Sequence, residues 1–211
     1  MTDKRPSRGA PSHEYDASNG QRTIQIPPAA SLRHLFEDIG EATDQENAAK
    51  LKKACTELLS SLSIFYGVSA PSLKLLGPRP HSTLEGRLAD ELFGDYSSRQ
   101  ARIRLWTRTP MRKHWTSSKT TLSTLCHEFM HHLDIHQLGF PHSFHTIGFF
   151  ERTHKLYLTV IGHPYYPLEW RSFSTSKSGK SWVIDWAATN RSKARASGQV
   201  KQKNTPMRKS M

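Results

Sequence analysis

Two histidines and a glutamate near the middle of the chain have the types and spacing of a metal-dependent hydrolytic site. The segment His127-Glu128-Phe129-Met130-His131 has the H-E-x-x-H pattern, which places its two histidines one turn apart on one face of a helix. Imidazoles at that spacing can both bind one Zn²⁺. Glu128 lies about 100° around the helix from His127, beside the metal, where a carboxylate can act as general base toward a zinc-activated water.

The residues around this motif predict a helix that buries one face and leaves the histidines at a cleft. Apolar residues recur at helical spacing and form a stripe centred about 130° away from the two histidines. Ser117 or Ser118 can cap the start of this helix and Gly139 can end it, which predicts a helix over residues 119–138. The stripe consists of Leu122, Cys126, Phe129 and Leu133.

A third metal ligand is expected after this helix, because a hydrolytic zinc usually takes three protein ligands and a water. His142 and His145 lie where the chain returns after Gly139. His145 is favoured, because it begins the next predicted helix and Phe149 can pack on it one turn later. His142 stays open as the alternative ligand.

Other side chains near the motif fit the metal less well. His132 and His136 point to the opposite side of the helix and are predicted to face solvent. Asp134 lies only about 20° from His127, where a short carboxylate more naturally orients a ligand histidine than binds the metal. A downstream glutamate, Glu151 or Glu169, would be the ligand in a gluzincin. A metzincin is excluded because Asp134 and Gln137 occupy its glycine and third-histidine positions.

With the segment His145-Thr146-Ile147-Gly148-Phe149, the motif resembles the SprT-like (Spartan-type) metallopeptidases. That family has an H-E-x-x-H helix, a short loop and an H-G-x-x-F segment that opens a second helix; here Thr146 replaces the glycine. The resemblance covers residues 43–162. It implies a minimal zincin-like domain, His127, His131 and His145 as zinc ligands, Glu128 as catalytic base, and proteolysis of proteins attached to DNA. Many members carry a C-terminal zinc ribbon, which the two cysteines of this chain cannot build.

The order of predicted elements indicates an α+β fold, in which a small antiparallel or mixed sheet packs on the active-site helix and flanking helices. A capping box at Thr43-x-x-Glu46 predicts a helix as far as Phe65, which Gly67 ends. Alternation of polar and apolar residues predicts a half-buried strand at 102–106 and, more weakly, a last strand at 181–186. Residues 72–76 are predicted as a short strand, and residues 91–96 as a weak strand or a turn around Gly94. The expected organisation is a disordered segment at 1–30, the zincin-like metallopeptidase domain at 31–189 and a disordered basic tail at 190–211.

The net charge of +12 comes from two local patches. Residues 101–120 contain six Lys or Arg and residues 190–211 contain seven, with no acid in either range, and the remaining 17 basic and 18 acidic residues nearly cancel. The first patch is interleaved with Trp106 and Trp115, as a nucleic-acid surface requires. Nucleic acid is therefore a candidate partner through residues 101–120 and the basic tail. The alternative is a solvated strand edge and a disordered tail that only keeps the chain in solution.

Composition and cysteine content favour a cytoplasmic setting, with association to the nucleoid if DNA is bound. The chain has no run of 18 apolar residues and no apolar signal segment at residues 1–20, so no membrane partner is expected. Cys55 and Cys126 cannot form a disulfide framework, and both fall in helical patterns. The sequence thus predicts an intracellular zinc metallopeptidase acting on protein substrates. The alternative is a non-catalytic, basic nucleic-acid-binding protein with a structural zinc.

Overall fold

The computed structural model describes residues 2–84, 87–111, 113–175 and 179–203. Helices and strands are mixed along the chain, so the predicted α+β class is confirmed. The chain divides into two compact units, one formed by Met1–Ile24 with Phe144–Met211 and the other by Gln25–Ser143. The helices are α1 (Ala10–Gly20), α2 (Arg33–Asp44), α3 (Ala48–Tyr66), α4 (Ser118–Leu133), α5 (Ile147–Val160) and α6 (Trp186–Lys203). The strands are β1 (Ser72–Pro78), β2 (His81–Leu84), β3 (Arg87–Glu91), β4 (Gly94–Ser97), β5 (Arg102–Arg108), β6 (Trp170–Thr175) and β7 (Gly179–Ile184).

A mixed three-stranded sheet organises the unit Gln25–Ser143. Strand β5 lies in the middle, parallel to β1 and antiparallel to β4. Alternate residues of β5, Ile103, Leu105 and Thr107, are buried, as expected for a strand with one covered face. Helix α4 packs against β4 and β5, and α3 packs against β1. The small mixed sheet on the motif helix therefore agrees with the prediction, and β2 and β3 form a separate antiparallel pair.

Helix α3 begins one turn later than the capping box predicts, and that prediction is wrong. Asn47 is the N-cap, and its side-chain oxygen accepts a hydrogen bond from the backbone N–H of Lys50 at 3.0 Å. Thr43 instead lies within α2, where its hydroxyl donates to the carbonyl of Ile39. The predicted end is confirmed, because Gly67 adopts a left-handed φ of 67° as C-cap.

The motif helix α4 matches its prediction closely. The Ser117 hydroxyl caps it by accepting from the backbone N–H of Thr120. All four residues of the apolar stripe are at most 1 % exposed, so the stripe faces the core. The helix continues into a π-helical turn at Asp134–Leu138, and Gly139 ends that turn with φ 78°. Cys126 belongs to the stripe and is a buried core residue, as predicted.

In the other unit, helix α1 occupies a segment for which the sequence predicts disorder, and it packs against α5. Gly148 allows this approach, because a Cβ there would lie 2.0 Å from the carbonyl oxygen of Ser18. The fully buried guanidinium of Arg152 donates to the carbonyls of Ser18 and Gln21 at the end of α1, where a cation is favourable. Because α1 is polar and is held by contacts with distant residues, its sequence lacks the apolar periodicity by which a helix is predicted.

Strands β6 and β7 form an antiparallel hairpin in this unit, with Trp170 opposite Ile184. The predicted strand at 181–186 therefore exists but begins and ends about two residues earlier. Helix α6 follows and includes the first part of the basic tail, while residues 204–211 of that tail lie outside the described residues. Among the described helices, none has the length and apolar character needed to cross a membrane.

Candidate metal centre

Three histidines place their ring nitrogens close enough to share one metal ion. The ligand atoms of His127, His131 and His145 all lie within 4.8 Å of one another, and all three side chains are half-buried. The Nε2 atoms of His127 and His131 are 3.2 Å apart. Two nitrogens bound to a tetrahedral zinc at about 2.0–2.1 Å each lie roughly 3.4 Å apart, so this spacing fits zinc. In the described part of the chain, this is the one group of three His, Cys, Asp or Glu side chains with such geometry.

A hydrogen-bonded chain fixes the tautomer of His131. The Ser143 hydroxyl donates to Asp134 Oδ2 at 3.0 Å and lies 2.8 Å from His131 Nδ1. Because a hydroxyl has a single proton, the Ser143 oxygen must accept from the Nδ1–H of His131. The lone pair of His131 is then on Nε2, the atom that faces His127. Asp134 therefore orients a ligand histidine through Ser143, which is the kind of role that the sequence predicts for it.

Ser143 was not predicted to belong to the site. It is buried and has a φ of 44°, in the left-handed region that side chains other than glycine rarely adopt. Such a conformation persists only where surrounding contacts over-determine it, and these positions cluster at functional sites. No spacing rule in the sequence identifies a serine at this position.

His145 is held by contacts at both its backbone and its ring. Its backbone N–H donates to Asp3 Oδ2 at 2.8 Å, and its Nδ1 lies 3.4 Å from the same oxygen. Its ring packs on Phe149 at a centroid distance of 5.2 Å, as the sequence predicts, and on Phe150 at 5.8 Å. A ring that donates from Nδ1 to Asp3 presents the lone pair of Nε2, which is the form of histidine that binds a metal. Asp3 was not predicted, because it lies in the segment expected to be disordered.

Glu128 is buried beside the histidines, with 5 % of its surface exposed. Burial raises the pKa of its carboxyl to about 8, and the negative charge of Asp95 adds to this rise. A divalent cation bound nearby acts in the opposite direction, because it favours the charged carboxylate. A carboxyl whose pKa lies near neutrality can both accept and release a proton, which is the property that a general base needs.

The alternative carboxylate ligands are engaged elsewhere. Glu151 is buried and accepts hydrogen bonds from Trp170 Nε1 at 2.9 Å and from the Tyr165 hydroxyl at 3.4 Å. Glu169 accepts from the hydroxyl of Ser192 at 2.9 Å. Neither carboxylate joins the histidine group. Arg152 is fully buried against α1, where its guanidinium donates to the carbonyl of Ser18.

His132 and His136 were both predicted to face solvent, and for His132 that prediction is wrong. His132 is 2 % exposed, and its Nε2 lies 2.8 Å from the carbonyl oxygen of Ser69. Burial lowers its pKa, which keeps the ring neutral. His136 is exposed, as predicted. The far face of α4 is covered because the loop before β1 packs there, which helical geometry alone does not reveal.

Gly94 on β4 allows the strand to lie against the side chain of the predicted general base. A Cβ at this position would lie 2.6 Å from Thr124 Cγ2 and 3.1 Å from Glu128 Cγ. Thr124 cannot rotate away freely, because its hydroxyl donates to the carbonyl of Thr120 at 2.9 Å. We therefore expect Gly94→Ala to lower the free energy of unfolding by about 1–3 kcal/mol through overpacking, and to slow any reaction that needs Glu128 in place.

Urea unfolding and activity assays on matched variants test this expectation. Thr124→Ser removes the clashing methyl group, so Gly94→Ala/Thr124→Ser should recover much of the lost stability. Gly40→Ala is the control, since nothing lies within 4 Å of its new Cβ, and it should stabilise α2 by up to about 1 kcal/mol. Unchanged stability of Gly94→Ala would contradict the close packing of β4 on α4.

Comparisons of this chain with protein-family models, with curated proteins and with solved structures give no match. The resemblance to SprT-like metallopeptidases therefore stays a prediction that depends on the two histidine motifs. The structure adds two findings that are independent of that resemblance. One ligand atom of each of the three histidines lies within 4.8 Å of the others. Asp3 lies beside Nδ1 of His145, and Asp134 contacts Nδ1 of His131 through Ser143.

Proposed function

We propose that this chain is a zinc-dependent metallopeptidase of the SprT-like kind, in which His127, His131 and His145 hold the metal and Glu128 is the general base. The observation that carries this proposal is the convergence of three histidine nitrogens within 4.8 Å, with a buried glutamate on the same helix. A purely structural zinc site does not require Glu128. This glutamate therefore favours an enzyme over the alternative of a non-catalytic zinc protein.

Bound by the three histidines, zinc would supply a Lewis acid that acidifies water and polarises a peptide carbonyl. Glu128 accepts the proton of the attacking water and later delivers it to the departing amine, so that proton gain and loss balance over the cycle. Ser143 and Asp134 hold the ring of His131 in orientation, and Asp3 holds that of His145. The burial of Glu128 limits competition from bulk water for its proton.

Metal content and peptide hydrolysis together test this function. Purified protein should contain one tightly held zinc and should cleave casein or a DNA-bound protein. A chelator should abolish cleavage, and added Zn²⁺ should restore it. Protein that holds its zinc but leaves unfolded casein and DNA-bound protein intact would contradict the peptidase proposal and support the non-catalytic alternative.

A second function, binding of nucleic acid, is favoured by one face of the mixed sheet. The strand register places Lys74 directly beside Arg104, and Ser72 beside Arg102. These cations and Arg99 line a cavity of about 550 Å³ on the sheet. Asp95 pairs with Arg104, and the other three basic side chains give the cavity a net positive charge. We propose that phosphates of a nucleic acid occupy this face, near Trp106, whose ring lies 5.4 Å from the Arg104 guanidinium.

A salt titration of binding to single-stranded and duplex DNA tests the basic face. We expect log K to fall linearly with log salt, and the double variant Lys74→Ala/Arg102→Ala to reduce that slope by about 2. Lys52→Ala/Lys53→Ala on α3 is the control with the same change in net charge, and its slope should match that of the wild type. Equal slopes for all three proteins would remove the sheet face from the binding site.

A further inference from the structure

On the side opposite His127, α4 and the π-helical turn that follows it carry a second pair of histidines, which meets a tyrosine. The Tyr96 hydroxyl lies 2.8 Å from His132 Nδ1 and 2.9 Å from His136 Nε2. The two imidazole rings have a centroid distance of 4.5 Å, which is shorter than the 4.9 Å between His127 and His131. Two nitrogens and one oxygen thus converge on one another, on the side of the helix opposite His127.

The protons of this cluster can be assigned from its contacts. His132 Nε2 lies 2.8 Å from the Ser69 carbonyl, which can only accept, so that nitrogen carries the proton. His132 Nδ1 therefore presents a lone pair toward Tyr96. An N–H donated to a backbone carbonyl, with the opposite nitrogen directed at a shared point, is the arrangement that orients histidine ligands in metal sites. The tautomer of His131 is assigned in the same way, from the contact of its Nδ1 with Ser143.

We propose that His132, His136 and Tyr96 form a second metal site, which takes a divalent transition metal such as Cu²⁺ or Zn²⁺. Imidazole nitrogens and a phenol oxygen suit these borderline ions and not Mg²⁺ or Ca²⁺. The ion replaces the proton that Tyr96 shares with His132, and this proton goes to solvent. His136 is exposed, so it can take the tautomer with its proton on Nδ1 and present Nε2 to the ion.

This site would join two elements that also position Glu128. Tyr96 lies on β4, two residues after Gly94, and His132 lies on α4, four residues after Glu128. A metal bound by both elements holds the strand against the helix, so it should stabilise the folded chain by mass action. The proposal concerns binding alone and does not depend on peptidase activity.

Calorimetric titration of the metal-free full chain with Zn²⁺, and separately with Cu²⁺, tests the site. The wild type should bind two equivalents, one tightly at the three-histidine centre and one more weakly. His136→Ala and Tyr96→Phe should each weaken the second equivalent at least tenfold and leave the first unchanged. His34→Ala removes an exposed histidine from α2 and is the matched control for binding to surface imidazoles. His127→Ala should weaken the first equivalent and retain the second.

The outcomes separate this proposal from the peptidase proposal. Two equivalents in a wild type that cleaves no peptide would uphold the second site and contradict the enzyme. A single equivalent in the wild type would overturn the second site, and so would a second equivalent that His136→Ala and Tyr96→Phe leave unchanged. Because His136 is exposed, its substitution should not prevent folding, and a thermal unfolding scan of the variant is the measurement that checks this. Added metal should raise the unfolding temperature of His127→Ala, and it should not raise that of His127→Ala/His136→Ala.

Discussion

Glu128→Gln is expected to retain one equivalent of tightly bound zinc and to cleave casein about 10²–10⁴-fold more slowly than the wild type. The amide has nearly the same shape as the carboxyl but cannot accept the proton of the attacking water. The three histidines are untouched, so zinc affinity should change little. The measurement is the initial rate of cleavage by protein whose zinc content has been determined.

His131→Ala is the contrasting variant, because it should lose zinc and activity together. Its ring supplies a ligand nitrogen and receives the orienting contact of Ser143. Circular dichroism of both variants shows whether the fold survives. If Glu128→Gln cleaves at the wild-type rate while holding zinc, Glu128 is not the base. If His131→Ala keeps full zinc and full activity, the three-histidine centre is not where the metal acts.

The sequence predicts the motif helix well because its signals are local. A serine cap, an apolar stripe and a closing glycine all lie within some twenty residues, and each acts on its own turn of the helix. His145 could be favoured as third ligand for a related reason, since the next helix begins directly after it and Phe149 packs on its ring one turn later. The sheet was also predictable, because β5 alternates buried and exposed residues along its length.

Asp134 could be assigned an orienting role from its position on the helix, but Asp3 and Ser143 could not be predicted, because their roles depend on distant contacts or on backbone conformation. Asp3 reaches His145 across 142 positions of sequence. Ser143 acts through a left-handed backbone conformation that its residue type does not favour. The burial of His132 could not be predicted for the same reason. Helical geometry gives the direction of its side chain, but the Ser69 carbonyl that contacts it comes from another part of the chain. A single sequence therefore predicts ligands, and supporting residues on the same helix, by their spacing, and leaves supporting contacts from distant segments unassigned.

The misplaced capping box at Thr43 has a comparable physical cause. Thr43 and Glu46 have the right residue types at the right spacing, yet Asn47 is an equally good cap four residues later. Helix α2 extends through Thr43 as far as Asp44, which leaves Asn47 as the first residue able to cap α3. The residue types alone therefore allow α3 to begin after either Thr43 or Asn47. Because α2 extends past Thr43, α3 begins after Asn47.

His145→Ala should weaken zinc binding by more than about 100-fold and abolish cleavage, since loss of an orienting partner alone costs about 10–100-fold. His142→Ala is the matched control, because it removes an exposed histidine of the same loop and should leave zinc affinity and cleavage unchanged. Competition with a chromogenic chelator gives both affinities. The two histidines were the alternatives left by the sequence, and the structure groups His145 with His127 and His131.

Asp3→Asn adds an intermediate step to this series. It keeps the size of the side chain but weakens the attraction for the Nδ1 proton of His145, so zinc affinity should fall by about 10-fold, between the control and the ligand variant. If His145→Ala retains full zinc affinity and His142→Ala loses it, the ligand is His142 and Asp3 has no part in the site. If zinc affinity falls most in His145→Ala, less in Asp3→Asn and not at all in His142→Ala, then His145 is the ligand and Asp3 is the carboxylate that orients it.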